Sequence, residues 1–331
     1  MQYTVKDFFL EFKTPFAIAH GTRTGTDIVL LTITHDGISA TGEASLPPYL
    51  PETKESVRRF IDDFFQVHTN LSEDIPSSIN TLHSFAAGHT AAKACMEIAF
   101  WNWHAAKAKM PLWKLLGLNN QPLPDCTYTL GMGSEEEIPS KISDSREFKI
   151  LKVKLGSGDM EYDKQMISTI RKYTGKPICV DANQGWTQKE DALNMISWLS
   201  ERNVKLIEQP LPKSAVADQK WLFERSPLPL FADESVQGPE DVDNISKMFH
   251  GINIKLMKCG GISKALEMIK LVRKLKLQVM IGSMSETGCA IMAAAQLSSL
   301  ADLVDLDGPM LTKNNPFDVV KYVEGKVMLK D

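Results

Sequence analysis

The chain has 331 residues, 43 % of them hydrophobic and 24 % charged, with a formal net charge of −4. These values suit a soluble globular protein with room for one large domain and a smaller one. No block of Lys and Arg stands apart from the surrounding acids, so the pattern argues for no nucleic acid and no membrane as partner.

The start, MQYTVKDFFLEF, lacks the basic residues and unbroken apolar run of a secretory signal. The longest weakly charged stretch, Met280 to Ala301, contains Glu286 and reads as strand, turn and buried helix, not as a membrane span. Cys95, Cys126, Cys179, Cys259 and Cys289 are odd in number and widely spaced, with no CxxC. They read as reduced core thiols of a cytoplasmic protein.

The first part of the chain alternates strand-like and helix-like text. Asp27–Thr34 and Ile38–Ala44 flank an Asp36-Gly37 turn, which predicts a tight hairpin. From Pro51 a helical pattern opens with Glu52 and Glu55 and carries Val57, Phe60, Phe64 and Phe65 as its apolar stripe. A longer helix is expected from about Thr90 to Lys109. Strands beside strands and helices beside helices predict a small α+β domain.

From Cys126 the rhythm changes to short β-rich runs, each followed by a polar turn and an amphipathic helical stretch. The runs are Thr127–Met132, Phe148–Leu155, Pro177–Asp181, Val204–Glu208, Leu230–Asp233, Gly251–Leu256, Gln278–Gly282 and Leu303–Asp307. Thr187 and Glu190 have capping-box spacing and are expected to open a helix over Asp191–Arg202. Another helix, Ser263–Lys274, follows the Gly260-Gly261 turn. Eight strands separated by helices fit a (β/α)8 or (β/α)7β barrel. A doubly wound open sheet is the alternative, and the steady period of about 25 residues favours closure.

In such a barrel, reacting groups sit at the C-terminal ends of the strands. Strand one ends near Thr129, strand two in Lys152-Val-Lys154, strand three in Asp181-Ala-Asn183 and strand four in Glu208-Gln-Pro210. Strand five ends in Asp233-Glu-Ser235, strand six carries Lys255 and Lys258, strand seven Ser283 and Glu286, and strand eight Asp305 and Asp307. Charges directly after apolar runs lie at the mouth of a dry core, where they are costly unless paired or bound to metal.

Asp181, Glu208 and Asp233 stand on consecutive strands and are expected to converge. Three carboxylates without imidazole form an all-oxygen site, suited to a hard cation such as Mg2+ rather than Zn2+. Six of the seven histidines lie at or before His104, and His250 precedes strand six, so zinc-hydrolase and Ser-His-Asp chemistry lack their essential residue. Lys152 and Lys154 alternate with Val153 and share a face, while Lys255 projects from the opposite wall. A lysine facing a metal-bound carboxylate substrate can act as base if burial and nearby cations depress its pKa.

In this order, KVKLG, DANQGW, IEQP, ADES, INIKLMKCGG and GSMSETG resemble the enolase superfamily, specifically its muconate-lactonizing-enzyme subgroup. The resemblance spans nearly the whole chain. It implies an α+β capping domain over residues 1–118, a TIM-like (β/α)7β barrel over 119–310, and a segment over 311–331 returning to the cap. It also implies the superfamily's known strategy, a Lys or His base beside Mg2+ that stabilises an enediolate. On that basis Asp181, Glu208 and Asp233 hold Mg2+, and Lys154 and Lys255 are acid and base on opposite faces of the substrate. Lys152 then neutralises the substrate carboxylate and lowers the pKa of Lys154. Lys258 receives no role.

Two bases on opposite faces permit a 1,1-proton transfer that inverts a stereocentre. Asp305-Leu-Asp307 suits a substrate ammonium and repels a purely anionic substrate, and it resembles the element with which dipeptide epimerases hold the α-ammonium. Thr129 and Ser283 match family positions touching the dipeptide backbone. Arg23, in the capping-domain loop HGTRTGT, favours an acidic side chain such as Glu. The resemblance therefore implies an L-Ala-D/L-Glu epimerase serving cell-wall peptide recycling, with a homo-oligomer a common state of such barrels. N-acylamino acid racemase and o-succinylbenzoate synthase are alternatives that leave Asp305 and Asp307 without a cation. A barrel that only binds its ligand would not need both lysines and all three acids. A phosphate-binding barrel would need a cradle that Gly282 and Gly308 do not supply.

Overall fold

The computed structural model describes residues 1–18, 21–69, 72 and 74–329, with backbone alone at 16–18 and 21. Strands β1 (Gln2–Ile18), β2 (Gly21–His35) and β3 (Ile38–Leu46) form an antiparallel meander in the order β1-β2-β3. Asp36 and Gly37 both take positive φ, +50° and +73°, and close the β2–β3 hairpin as the Asp-Gly pair predicts.

Helices α1 (Lys54–Val67) and α3 (Thr90–Ala108) pack on that sheet, and α2 (Ile75–Phe85) packs on α3. Thr53 and Ser56 make the capping box of α1, each side chain accepting the other's backbone N–H. Glu52 is therefore not in the first turn of its own helix. Its carboxylate accepts the N–H groups of Ala91 and Ala92 at 2.8 and 3.0 Å and caps α3 instead. The α1 stripe of Val57, Phe60, Phe64 and Phe65 is buried as expected. A one-turn helix α4 (Leu112–Leu115) leads out of this region.

Eight parallel strands follow, in sequential order around a barrel: β4 (Thr127–Leu130), β5 (Ile150–Lys154), β6 (Ile178–Asp181), β7 (Val204–Glu208), β8 (Leu230–Ala232), β9 (Gly251–Lys255), β10 (Gln278–Gly282) and β11 (Leu303–Asp305). The ring closes where Cys126 bridges Val304 in parallel and Val304 donates to the Asp125 carbonyl. The connections hold helices α5 (Ile138–Asp144), α6 (Met160–Tyr173), α7 (Lys189–Ser200), α8 (Val216–Phe223), α9 (Val242–Ile245), α10 (Leu256–Cys259), α11 (Ile262–Lys274) and α12 (Gly288–Ala295), with α10 and α11 sharing one crossover. Seven helical crossovers and a last strand without one make a (β/α)7β barrel. The expected capping box at Thr187 does not form: α7 starts at Lys189, so Glu190 falls one position short of N3, and Gln188 caps without a side-chain bond.

Strand alternation explains how one short run serves both core and site. Outward residues, such as Leu151, Val153, Val180, Ile207, Ile254, Ile281 and Val304, pack under the helices in the main core. Inward residues Cys179, Leu206, Phe231, Met280 and Leu303 form a separate plug across the barrel, with Ile150 packed on it. Burying each of the larger apolar side chains contributes about 1.5–3 kcal/mol. Gly251 leaves room for the plug, since a Cβ there would sit 2.6 Å from the Phe231 ring. The next inward residue is a polar one, Lys152, Asp181, Glu208, Asp233 or Asp305, for every plug-bearing strand except β10, where it is Gly282.

After the barrel, Lys313 donates to the Glu11 carbonyl and Asn314 bonds both Glu11 and Phe9 on β1. A final hairpin, β12 (Lys321–Val323) and β13 (Lys326–Met328), sits at the opposite end of the barrel, where the Cys126 N–H reaches the Gly325 carbonyl at 2.6 Å. All five cysteines are free and buried. No helix among the described residues is long and apolar enough to cross a membrane.

Candidate active site

Strand register sets the polar groups in adjacent rungs. Lys154 pairs with Asp181 and Asp181 with Glu208, while Gly282 pairs with both Lys255 and Asp305. Asp181, Glu208 and Asp233 are each buried, and one carboxylate oxygen from each lies within 4.8 Å of the others. This compact all-oxygen donor set fits a hard divalent cation.

Lysines approach the trio from two walls. Lys154 lies 2.6 Å from Asp181 and Lys255 lies 2.6 Å from Asp233. Their strands, β5 and β9, stand four places apart in the ring of eight, so the two ammonium groups face each other across the barrel mouth. Lys152 lies deeper, at 2.7 Å from Asp305, 2.8 Å from Glu208 and 3.2 Å from Asp181. Its side chain is 1 % exposed and its partners are protein carboxylates, so it neutralises the floor of the site. Lys258 sits on α10, past the end of β9, and donates to Asp233 Oδ1, the Asp233 carbonyl and the Asn253 carbonyl at 2.7, 2.7 and 3.0 Å. It anchors Asp233 from behind, a contact that sequence spacing did not reveal.

These contacts split the acid pKa values. Burial opposes the charge on Asp181, but Lys154 and Lys152 outweigh it and hold the group down at about 2. Burial and the neighbouring Asp181 push Glu208 up to about 7 despite Lys152. Asp233 stays well below the usual carboxylate range because Lys255, Lys258 and Lys152 overcome its burial. The expected depression of the lysine base is not met at Lys255. Burial is the largest influence and works in that direction, but the charges around it, Asp233 first, together outweigh it and raise the group.

Asp305 ends β11, and Asp307 lies beyond it at the start of a short 3-10 turn, so strand eight is shorter than expected. Both acids nevertheless line the same cavity. Asp305 accepts from Thr127 Oγ1 at 2.6 Å and from Lys152, while Asp307 accepts the Thr129 N–H and hydroxyl. Lysine contact holds Asp305 below its usual range, whereas burial and the Asp305 charge raise Asp307 to about 7. Ser283 reaches the Asp305 carbonyl at 3.4 Å.

The cavity has a volume of about 540 Å3, and Thr129, Lys152, Lys154, Asp233, Lys255, Ser283, Asp305 and Asp307 line it. Its roof comes from the N-terminal sheet and the segment after it, through Phe12, Arg23 and Tyr49. Arg23 lies on strand β2, not in a loop, paired with Phe16, and His20 of the same motif falls outside the described residues. The Arg23 guanidinium lies 5.7 Å from the Phe12 ring centroid and 5.8 Å from that of Tyr49, and its Nη1 is buried without a hydrogen-bond partner. Phe12, Tyr49 and Glu234 were not legible as site residues. Glu234 alone had a signal, its position beside Asp233.

His250 lies at the other end of the barrel, where its Nδ1 accepts the Leu230 N–H at 3.0 Å. Imidazole chemistry is therefore absent from the mouth among the described residues.

Residues 139–319 match the family described as enolase C-terminal domain-like, and residues 3–117 match the mandelate racemase / muconate lactonizing enzyme N-terminal domain. The chain is 42 % identical to the L-Ala-D/L-Glu epimerase of Bacteroides thetaiotaomicron, over 100 % of this chain and 86 % of that protein. A solved structure of the L-Ala-D/L-Glu epimerase from Bacillus subtilis in complex with substrate superposes with a TM-score of 0.93 at 26 % identity, covering 100 % and 96 % of the two chains. The dipeptide epimerase of Enterococcus faecalis, solved with Mg and L-Leu-L-Tyr, superposes at 0.89 with 30 % identity, covering 100 % and 97 %. A barrel with three converging carboxylates, roofed by an N-terminal sheet and matched over both parts, places this chain in the mandelate racemase / muconate lactonizing enzyme family of the enolase superfamily.

Proposed function

We propose that this protein is a Mg2+-dependent dipeptide epimerase, acting on L-Ala-D/L-Glu by a two-lysine 1,1-proton transfer. The observation that carries the reading is the placement of Lys154 and Lys255 on opposite walls of one cavity, each beside a different carboxylate of the trio. A substrate α-carbon between them has one ammonium or amine on each face. One lysine Nζ takes the α-proton and the other returns a proton from the far side, which inverts the centre.

Asp181, Glu208 and Asp233 are the residues that would hold the cation. When bound, it supplies positive charge where the substrate carboxylate gains its second negative charge. The Asp233 charge that raises Lys255 is the charge such an ion offsets. Lys152 supports the floor by neutralising Glu208, Asp181 and Asp305. Asp305 and Asp307 line the cavity and would receive the substrate α-ammonium beside the bonds they already accept from Thr127, Lys152 and Thr129, and Thr129 and Ser283 would meet the peptide backbone. The unpartnered Nη1 of Arg23 supports an acidic C-terminal side chain, as in Ala-Glu.

We also propose that the chain divides at about 118/119 and 310/311 into cap, barrel and closing segment, and that it works in the cytoplasm. The element order and the five unpaired, buried cysteines support these two readings.

The test is proton NMR in D2O with L-Ala-L-Glu and Mg2+, with Lys154→Ala and Lys255→Ala alongside. Loss of the Glu α-proton signal with growth of the diastereomer, absent in both variants, is the expected result. A wild type that exchanges no α-proton on any dipeptide would sink the reading.

A further inference from the structure

Strand β3 presents three alternate residues to the segment that follows barrel strand β10. The Thr41 carbonyl receives the Cys289 thiol at 3.4 Å. Glu43 accepts the N–H groups of Thr287 at 2.8 Å and Ala290 at 3.2 Å, and also takes the Thr287 hydroxyl. Ser45 donates to the Ser285 carbonyl at 2.7 Å. Just past the strand, Tyr49 donates to the Met284 sulfur at 3.1 Å. Residues 284 to 290 are thus gripped in antiparallel sense by 49, 45, 43 and 41.

The grip is dry. Glu43, Ser45 and Thr287 are all 0 % exposed. Glu43 supplies acceptors to the first N–H groups of α12, which have no partner inside their own helix. The segment so held begins at Ser283 and Met284, and both line the cavity beside Asp305. None of the β3 residues touches the cavity or the carboxylate trio.

We infer that Glu43 and Ser45 are positioning residues for substrate binding, holding the Ser283–Ser285 segment at the depth where it meets the peptide backbone of the dipeptide. The inference rests on the dipeptide reading above. The proton-transfer groups stand on β5 and β9, outside this segment, so loosening it weakens ground state and transition state alike. Loss of uniform binding raises KM and leaves kcat in place.

The experiment is steady-state epimerisation of L-Ala-L-Glu at saturating Mg2+ by wild type, Glu43→Gln and Ser45→Ala. Gln turns one acceptor into a donor facing N–H groups, so its expected effect is the larger. KM should rise about tenfold for Glu43→Gln and about threefold for Ser45→Ala, with kcat within about twofold of wild type and the Mg2+ dependence unmoved. Ser45→Ala, which removes one hydroxyl, decides the matter if Glu43→Gln does not fold. Unchanged KM, or a fall in kcat, overturns the inference while leaving the dipeptide reading intact. A wild type that does not exchange the α-proton overturns both.

Discussion

Lys152 and Asp305 meet at 2.7 Å across the seam where the barrel closes, β5 reaching over β4 to β11. The same ammonium touches Glu208 and Asp181, so a single buried cation holds three carboxylates on three strands. Lys152 rises well above its usual pKa because these charges outweigh its burial.

Removing that cation should be costly. Lys152→Met leaves buried acids without a counter-charge, and breaking a buried pair this way costs about 3–5 kcal/mol. Urea denaturation in the presence of a chelator should show the loss. The double variant Lys152→Met/Asp305→Asn should lose less than the two single losses combined, because the second change removes one of the orphaned charges.

Metal addition should stabilise the fold by mass action. Titrating Mg2+ into wild type should raise Tm progressively, as expected of a ligand bound by the native state alone. Glu208→Gln keeps the side-chain shape but weakens the donor set, so its Tm should respond little to Mg2+. An equal Tm response in both proteins would show that the trio does not hold the ion. Chelation of wild type should abolish epimerisation and be reversed by adding Mg2+.

Arg23 governs the expected side-chain preference. Arg23→Met removes a buried guanidinium without emptying the space between Phe12 and Tyr49. The specificity constant kcat/KM for L-Ala-L-Glu should fall about a hundredfold, the scale of a lost charge-assisted contact. That for L-Ala-L-Leu should hold or improve. Equal losses on both substrates would mean that Arg23 does not read the side chain.

Glu286 should make stability fall with rising pH. Burial, with the Glu43 charge added, pushes it up to about 8, above its ordinary 4.5, and its Oε2 has no hydrogen-bond partner. Between these values the folded protein holds a proton that the unfolded chain gives up. The stabilisation is complete below the lower value and is lost as pH passes the upper one. Glu286→Gln, which retains an acceptor for the Met284 N–H, should flatten the decline in Tm between about pH 5 and pH 9.

Much of this was written in the chain in readable form. Four of the eight barrel runs end in a carboxylate after apolar text, so Ile178–Asp181 and Val204–Glu208 disclosed strand and site carboxylate together. The trio and the lysines on facing walls follow from strand order alone. Glu43 and Glu97 were not assigned, although each is an acid inside apolar text, ATGEASL and ACMEIAF. Both are wholly buried, and their partners, the N–H groups of Thr287 and Ser263, lie 244 and 166 residues away. Local spacing carries no information about a bond of that span. Arg23 was assigned to a loop, HGTRTGT, by resemblance to the family's capping domain. Gly25 instead belongs to a strand, where a Cβ would lie 2.5 Å from the Leu10 carbonyl.

The span of the Glu43–Thr287 bond has a consequence for how the protein is made. A ribosome adding roughly 5–20 residues per second releases β3 long before α12 exists. Glu43 therefore waits in water for on the order of tens of seconds, in a hairpin whose later partner has not been synthesised. The cap can cover its apolar face with α1 and α3 during that time, but its grip on the strand-seven segment is made near the end of synthesis. That grip is thus among the last contacts the nascent chain can make, in company with Leu303 and Val304, which complete the barrel plug and the main core only after α12 has emerged.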